Sequence, residues 1–103
     1  MTIAKILDLY ARGGRSLIGN GLDEAALSLP DAKVALELFA SRRWRILGGD
    51  VYCLSEQQSL ESTYENWSYD GNDFGQSVDV ARNYLAYLAQ RDVYIVFVVD
   101  ECR

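Results

Sequence analysis

The stretch RILGGDVYCL, residues 45–54, decides the fold of this chain. Its β-branched, aromatic and aliphatic residues are typical of a β-strand. The pair Gly48 and Gly49 interrupts them, and paired glycines inside a strand usually mark a bulge or a close approach of another backbone. The sequence therefore predicts a strand that begins at Arg45 and is irregular at its glycines.

Two further strands are predicted downstream of this stretch. Residues 62–69 form a weaker strand, and residues 56–60 are the turn that folds the chain back onto residues 45–54. Residues 93–99 are a run of β-branched and aromatic residues without polar alternation, which is typical of a strand covered on both faces or nearly so. We expect this run at the centre of the sheet.

Three helices are predicted around these strands. The first is short, because the glycines at residues 13–14 stop its helical spacing of apolar residues. The second spans about residues 28–42, since a serine and an aspartate three residues apart at its start have the spacing of a capping box. The third spans about residues 73–91, with Asp73 as its cap.

The order of these elements predicts an α+β domain with a small, mostly antiparallel three-stranded sheet packed against about three helices. Residues 15–21 are predicted to be a loop, and residues 22–27 to form one or two helical turns. At 103 residues, half of them apolar, the chain matches one domain, residues 1–103, of the commonest size.

Charge is distributed unevenly along the chain, whose formal net charge is -5. Residues 46–81 contain no Lys or Arg, but they hold seven acidic residues among five large aromatic rings. A wet loop with some core aromatics would have this composition, and so would an anionic, aromatic-rich binding face. Such a field repels nucleic acid and anionic membranes, and it speeds encounter with a basic partner.

The residues that we predict to contact a partner all come from this acidic stretch. Trp67 is equally well placed to be a core residue, because a ring of that size is often buried. The candidate partner-binding residues are Asp50, Glu61, Glu65, Trp67, Tyr69, Asp70 and Asp73.

Catalytic and metal-binding motifs are weak in this sequence. With no histidine, the chain lacks the most frequent general base and metal ligand. Cys53 and Cys102 are too far apart for a CxxC redox or zinc pair. Residues 70–75 begin like a calcium loop, but Phe74 stands at a ligand position. We therefore predict no enzymatic activity, no catalytic residues, no metal and no cofactor.

The sequence predicts a cytoplasmic protein. Two cysteines do not make the disulfide framework of a small secreted domain. Residues 1–13 are too polar for a secretory signal, and no stretch approaches the roughly 20 apolar residues that a membrane span needs.

The string RILGGDVY at residues 45–52, followed by TYENW at residues 63–67, resembles the immunity protein 40 family of bacterial polymorphic toxin systems. The resemblance covers roughly residues 28–99. It implies a small cytoplasmic α+β protein that binds and neutralises the toxin encoded beside it. A basic toxin domain, such as a nuclease, would suit an acidic face, because carboxylates could then stand in for phosphates. The resemblance implies no particular interface residues.

Two other functions stay open on the residues alone. A small enzyme or ligand-binding domain could use carboxylates and tyrosines around residues 48–50, which would require a concave pocket with perturbed acids. A structural subunit could self-associate through the exposed edge of its sheet, giving a weak homodimer whose stability depends on concentration.

Overall fold

A computed structural model describes residues 2–16 and 25–100. The described elements, in chain order, are α1 (Thr2–Gly13), β1 (Arg15–Ser16), β2 (Ala25–Ser28), α2 (Leu29–Ser41), β3 (Arg45–Leu54), β4 (Leu60–Ser68), α3 (Phe74–Tyr87) and β5 (Tyr94–Asp100). Four strands pair antiparallel in the order β2-β5-β3-β4, and the two-residue β1 pairs with the outer side of β2. The prediction of an α+β fold with three helices is confirmed.

The prediction of a three-stranded sheet is wrong, because residues 25–28 form β2 rather than part of a helical turn. Alanine and leucine favour helices by propensity, but Leu27 pairs with Ile95 of β5 and is fully buried. Tertiary pairing therefore overrides the local preference. Arg15–Ser16 is likewise a short strand rather than loop. The rest of the predicted loop and turn, at residues 17–24, lies outside the described residues, as does Cys102.

The three helices pack against one face of the sheet and form the main core with it. On the opposite face a smaller cluster contains Ala26, Tyr52, Leu60 and Val96. β5 lies between β2 and β3, so its predicted central position is confirmed. The prediction that it is covered on both faces fails toward its end, where Val98 is 48% exposed. The main core includes Ile6, Leu9, Leu27, Leu36, Phe39, Ile46, Val51, Trp67, Val78, Leu85 and Ile95.

Both long helices begin at the caps that the sequence predicts. The Ser28 Oγ accepts a hydrogen bond from the backbone N–H of Asp31 at 3.4 Å. The Asp73 Oδ1 accepts one from the N–H of Gln76 at 2.9 Å. These bonds satisfy N–H groups that the first helical turn leaves free. α3 ends at Tyr87, a turn earlier than predicted.

The two glycines of β3 make room for Trp67. Relative to β5, the register of β3 shifts between Ile46 and Gly48, which confirms the predicted irregularity. A Cβ atom on Gly48 would overlap the backbone carbonyl of Trp67, and one on Gly49 would overlap its indole ring. Glycine is therefore required here for close approach of β4, not for contact with a ligand.

Candidate partner-binding surface

Trp67, the largest of the candidate residues, belongs to the core. It is 8% exposed and packs over Gly49 on the helix-covered face. Its ring stacks on Tyr84 of α3 with centroids 4.9 Å apart and meets the edge of Phe97 at 6.0 Å. This ring holds β4 to α3 and β5, so it stabilises the fold rather than offering a face to a partner.

Glu65 is occupied by an ion pair. Its two carboxylate oxygens accept hydrogen bonds from Arg91 at 2.5 and 2.9 Å, a bidentate geometry. The hydrogen bond from Arg91 lowers the pKa of the Glu65 carboxyl, and the same bond raises the pKa of the guanidinium. Burial first, and the Glu65 charge second, raise the pKa of the neighbouring Tyr84 hydroxyl. The negative charge of Glu65 is therefore largely neutralised within the protein.

Tyr69 and Asp73 build the turn that leads into α3. The Tyr69 hydroxyl donates to Gln76 Oε1 at 2.9 Å and accepts from the Asp73 N–H at 3.0 Å. Arg45 anchors the same turn, because its Nη1 donates to the carbonyl of Gly71 at 3.0 Å. Asp73 is also the N-cap of α3. Tyr69 and Asp73 therefore stabilise the fold at this turn.

The remaining three candidates are exposed acids. Asp50 lies in β3 opposite Asn66, Glu61 lies in β4, and Asp70 follows the end of β4. None of the three forms an ion pair with any residue in the described ranges 2–16 and 25–100. Their charge is thus available to a partner.

Tyr64 is a surface residue outside the set of partner-binding residues predicted from the sequence. It is 89% exposed, and its backbone has φ 65°. It lies in a bulge, because Asp50 pairs with Asn66 while Tyr52 pairs with Ser62, which leaves three residues of β4 opposite one of β3. The signal available in sequence was the Ser-Thr pair just before it, since hydroxyl side chains stabilise local turns.

Side-chain hydroxyls hold this bulge in shape. The Tyr64 N–H donates to Ser62 Oγ at 3.0 Å, and the Glu65 N–H donates to Thr63 Oγ1 at 3.1 Å. The Thr63 hydroxyl in turn donates to the carbonyl of Val51 at 3.1 Å. We use the name acidic edge for the four exposed residues on or beside the outermost strand: Asp50, Glu61, Tyr64 and Asp70.

The place where a ligand-binding or enzymatic function would need a pocket is filled. Gly48 and Gly49 are buried against Trp67. A cavity of about 260 Å³ lies instead between α2 and α3, and it is lined by Lys33, Leu36, Glu37, Arg82, Leu85 and Ala86. Within the described parts of the chain, no three Cys, Asp or Glu residues are grouped closely enough to hold a metal ion. Among the described helices, none has both the length and the apolarity needed to cross a membrane.

The fold and this surface define a small two-layer α+β domain whose outermost strand is acidic and carries an exposed ring. The family model of Immunity protein 40 matches residues 16–99, so the chain belongs to that family. This confirms the resemblance seen at residues 45–52 and 63–67, and the match begins earlier than residue 28. Membership implies an immunity protein directed against a toxin. No curated protein and no solved structure matches the chain.

Proposed function

We propose that this protein neutralises a basic toxin domain by binding it through the acidic edge. The observation that carries the proposal is the set of exposed acids, Asp50, Glu61 and Asp70, that lack ion-pair partners among the described residues. Residues 46–81 contain no Lys or Arg, and the two arginines that reach this region, Arg45 and Arg91, are held by the turn at Gly71 and by Glu65. Peripheral charges of one sign steer a partner of the opposite sign and fix its orientation.

A toxin that acts on nucleic acid fits this chemistry best. Its substrate site would be basic because it must bind phosphates, and carboxylates presented on a rigid strand can occupy the same positions. The protein would then act as a stoichiometric inhibitor in the cytoplasm and would need no catalytic group or cofactor. The same negative field disfavours nucleic acids and anionic membranes as partners of this chain.

Self-association through the sheet edge is the weaker alternative. β4 is the outermost strand on its side of the sheet, and such an edge can pair with a strand of another chain. Pairing with a second copy, however, would bring two acidic strands together, and like charges across a strand pair are destabilising. The bulge at residues 63–65 further interrupts any continuous pairing.

The test is survival of bacteria that express the toxin encoded beside this gene, with and without this protein. We expect killing by the toxin alone and rescue by the wild-type chain, together with a salt-sensitive complex of the two purified proteins. A toxin that kills regardless of the chain would overturn the proposal.

A charge-reversed variant tests the surface. Asp50→Lys, Glu61→Lys and Asp70→Lys combined should slow association by roughly 10-fold or more at low salt, because steering is lost. The control reverses three exposed acids elsewhere, Asp8, Asp79 and Asp92, and changes the net charge equally. Because Asp8 and Asp79 pair with Arg12 and Arg82, the melting temperatures of both variants are compared with that of the wild type. Equal slowing of both variants would show that overall charge, rather than the acidic edge, guides the toxin.

A further inference from the structure

We propose that Tyr64 is the central anchor of the toxin interface, inserted into the basic surface of the toxin. This inference rests on the proposed function and names the residue on which its affinity depends. Tyr64 is the most exposed of the large hydrophobic residues described, at 89%. Tyrosine is enriched among the few residues that supply most of an interface's binding energy, since it combines a large ring with a polar tip.

The backbone of Tyr64 is held in a conformation that its side chain disfavours. A φ of 65° lies in the left-handed region, which bulky residues rarely adopt. A bulge that only had to end strand pairing could place glycine there without strain. The sequence instead places an aromatic residue whose ring remains in water, which contributes nothing to the core.

The bulge also fixes the backbone that carries the ring before any partner arrives. Two hydrogen bonds, from the N–H groups of Tyr64 and Glu65 to the hydroxyls of Ser62 and Thr63, lie within the bulge, and a third ties Thr63 to the Val51 carbonyl of β3. A preformed anchor loses less conformational freedom on binding than one carried by a mobile loop. The local hydrogen bonds of the bulge therefore hold the backbone at Tyr64 in place.

The surroundings of Tyr64 have the layout of a binding centre with a polar rim. Glu65, its neighbour, is neutralised by Arg91, while the acids without an ion pair, Glu61 and Asp50, lie farther along β4 and on the adjacent strand β3. Anchors at interface centres are surrounded by charged groups at the periphery. A basic toxin surface complements both parts, because Lys or Arg can pair with the acids and can also pack over the ring face.

The variant Tyr64→Gly separates binding from folding. Glycine adopts a φ of 65° without penalty, so the variant should melt at the wild-type temperature or above it. Without the ring, affinity for the purified toxin should fall by roughly 30-fold or more, mainly through faster dissociation. Tyr64→Phe keeps the ring and should retain most of the affinity.

Leu7→Ala is the matched control. Leu7 is 66% exposed on α1, which packs beside β2 at the other end of the sheet, so its truncation should leave toxin affinity unchanged. If the wild-type chain binds toxin and Tyr64→Gly binds equally well, the anchor is overturned while the proposed function stands. If Tyr64→Gly unfolds, or Tyr64→Phe loses as much affinity as Tyr64→Gly, the ring is not the anchor. If the wild-type chain itself does not bind, the proposed function fails.

Discussion

On the helix-covered face of the sheet, rings are packed and charges are paired, whereas along the acidic edge both are left in water. Trp67 stacks on Tyr84, and Glu65 is bound by Arg91. Tyr64 and Glu61, from the same strand, make neither kind of contact with the described residues. Residues a few positions apart in one acidic, aromatic strand therefore have different roles. Amino-acid composition alone does not distinguish the packed, paired residues from the exposed ones.

The alternation of a strand and one bulge create this difference. Successive side chains point to opposite faces, so Trp67 and Glu65 reach the helices together. Tyr64, in the bulge at residues 63–65, lies on the opposite side of the strand from Glu65 and is exposed. A bulge that re-aims a side chain is a recurrent device at functional edges of sheets.

The largest effect on stability is expected from Trp67→Ala. Removing this buried ring should lower the free energy of unfolding by about 3–5 kcal/mol, because a cavity remains between β4 and α3. Tyr64→Ala, in the same strand, should change it by less than about 0.5 kcal/mol. Denaturant unfolding of both variants measures the contrast. A similar decrease in the free energy of unfolding for both variants would contradict the assignment of Trp67 to the core and Tyr64 to the surface.

A smaller effect is expected at the start of α3. Asp73→Ala removes the oxygen that accepts the Gln76 N–H, so the free energy of unfolding should fall by about 1 kcal/mol. Asp70→Ala is the matched control, since Asp70 is exposed and has no ion-pair partner in the described part of the chain. Thermal melts of the two variants decide whether these neighbouring acids differ as the structure indicates.

The smallest effect concerns pH. Arg91 lowers the pKa of Glu65 from its ordinary value of 4.5, so the stabilisation is present above that value and is lost as pH falls through the folded-state pKa. Glu65→Gln should therefore be less stable than the wild type at neutral pH, and the difference should shrink on acidification. Unfolding midpoints between pH 7 and pH 2 provide the measurement. Glu61→Gln serves as the unpaired control, and a constant gap for Glu65→Gln would contradict the ion pair.

Local sequence signals predicted much of the fold. Caps at Ser28 and Asp73 mark the helix starts because the side chain of each accepts a hydrogen bond from the backbone N–H three residues later. The glycines at residues 48–49 mark the irregular strand because no other residue fits there. β2 was not predicted. Its alanines and leucine favour a helix, and its four residues are too few to show a strand pattern, so they form a strand only because they pair with β5.

The candidate site was predicted in its chemistry but not in its residues. Of the acids and rings of residues 46–81, only some lie on the outermost strand, and the others belong to β3, to the turns or to α3. Glu65, however, meets an arginine 26 positions away, and Arg45 reaches the turn at Gly71 across the same separation. Such long-range partners leave no local trace, so the sequence could not tell paired acids from free ones.

The sequence by itself determined the family, the order of most elements, the helix starts and the negative character of the β3–β4 region, because each depends on residues close together in the chain. Tertiary structure alone decided that a fourth full strand joins the sheet and that Trp67 is buried. It also decided that Tyr64 faces water. Those outcomes depend on how strands pair and which face the helices cover, and these arise only when distant segments meet.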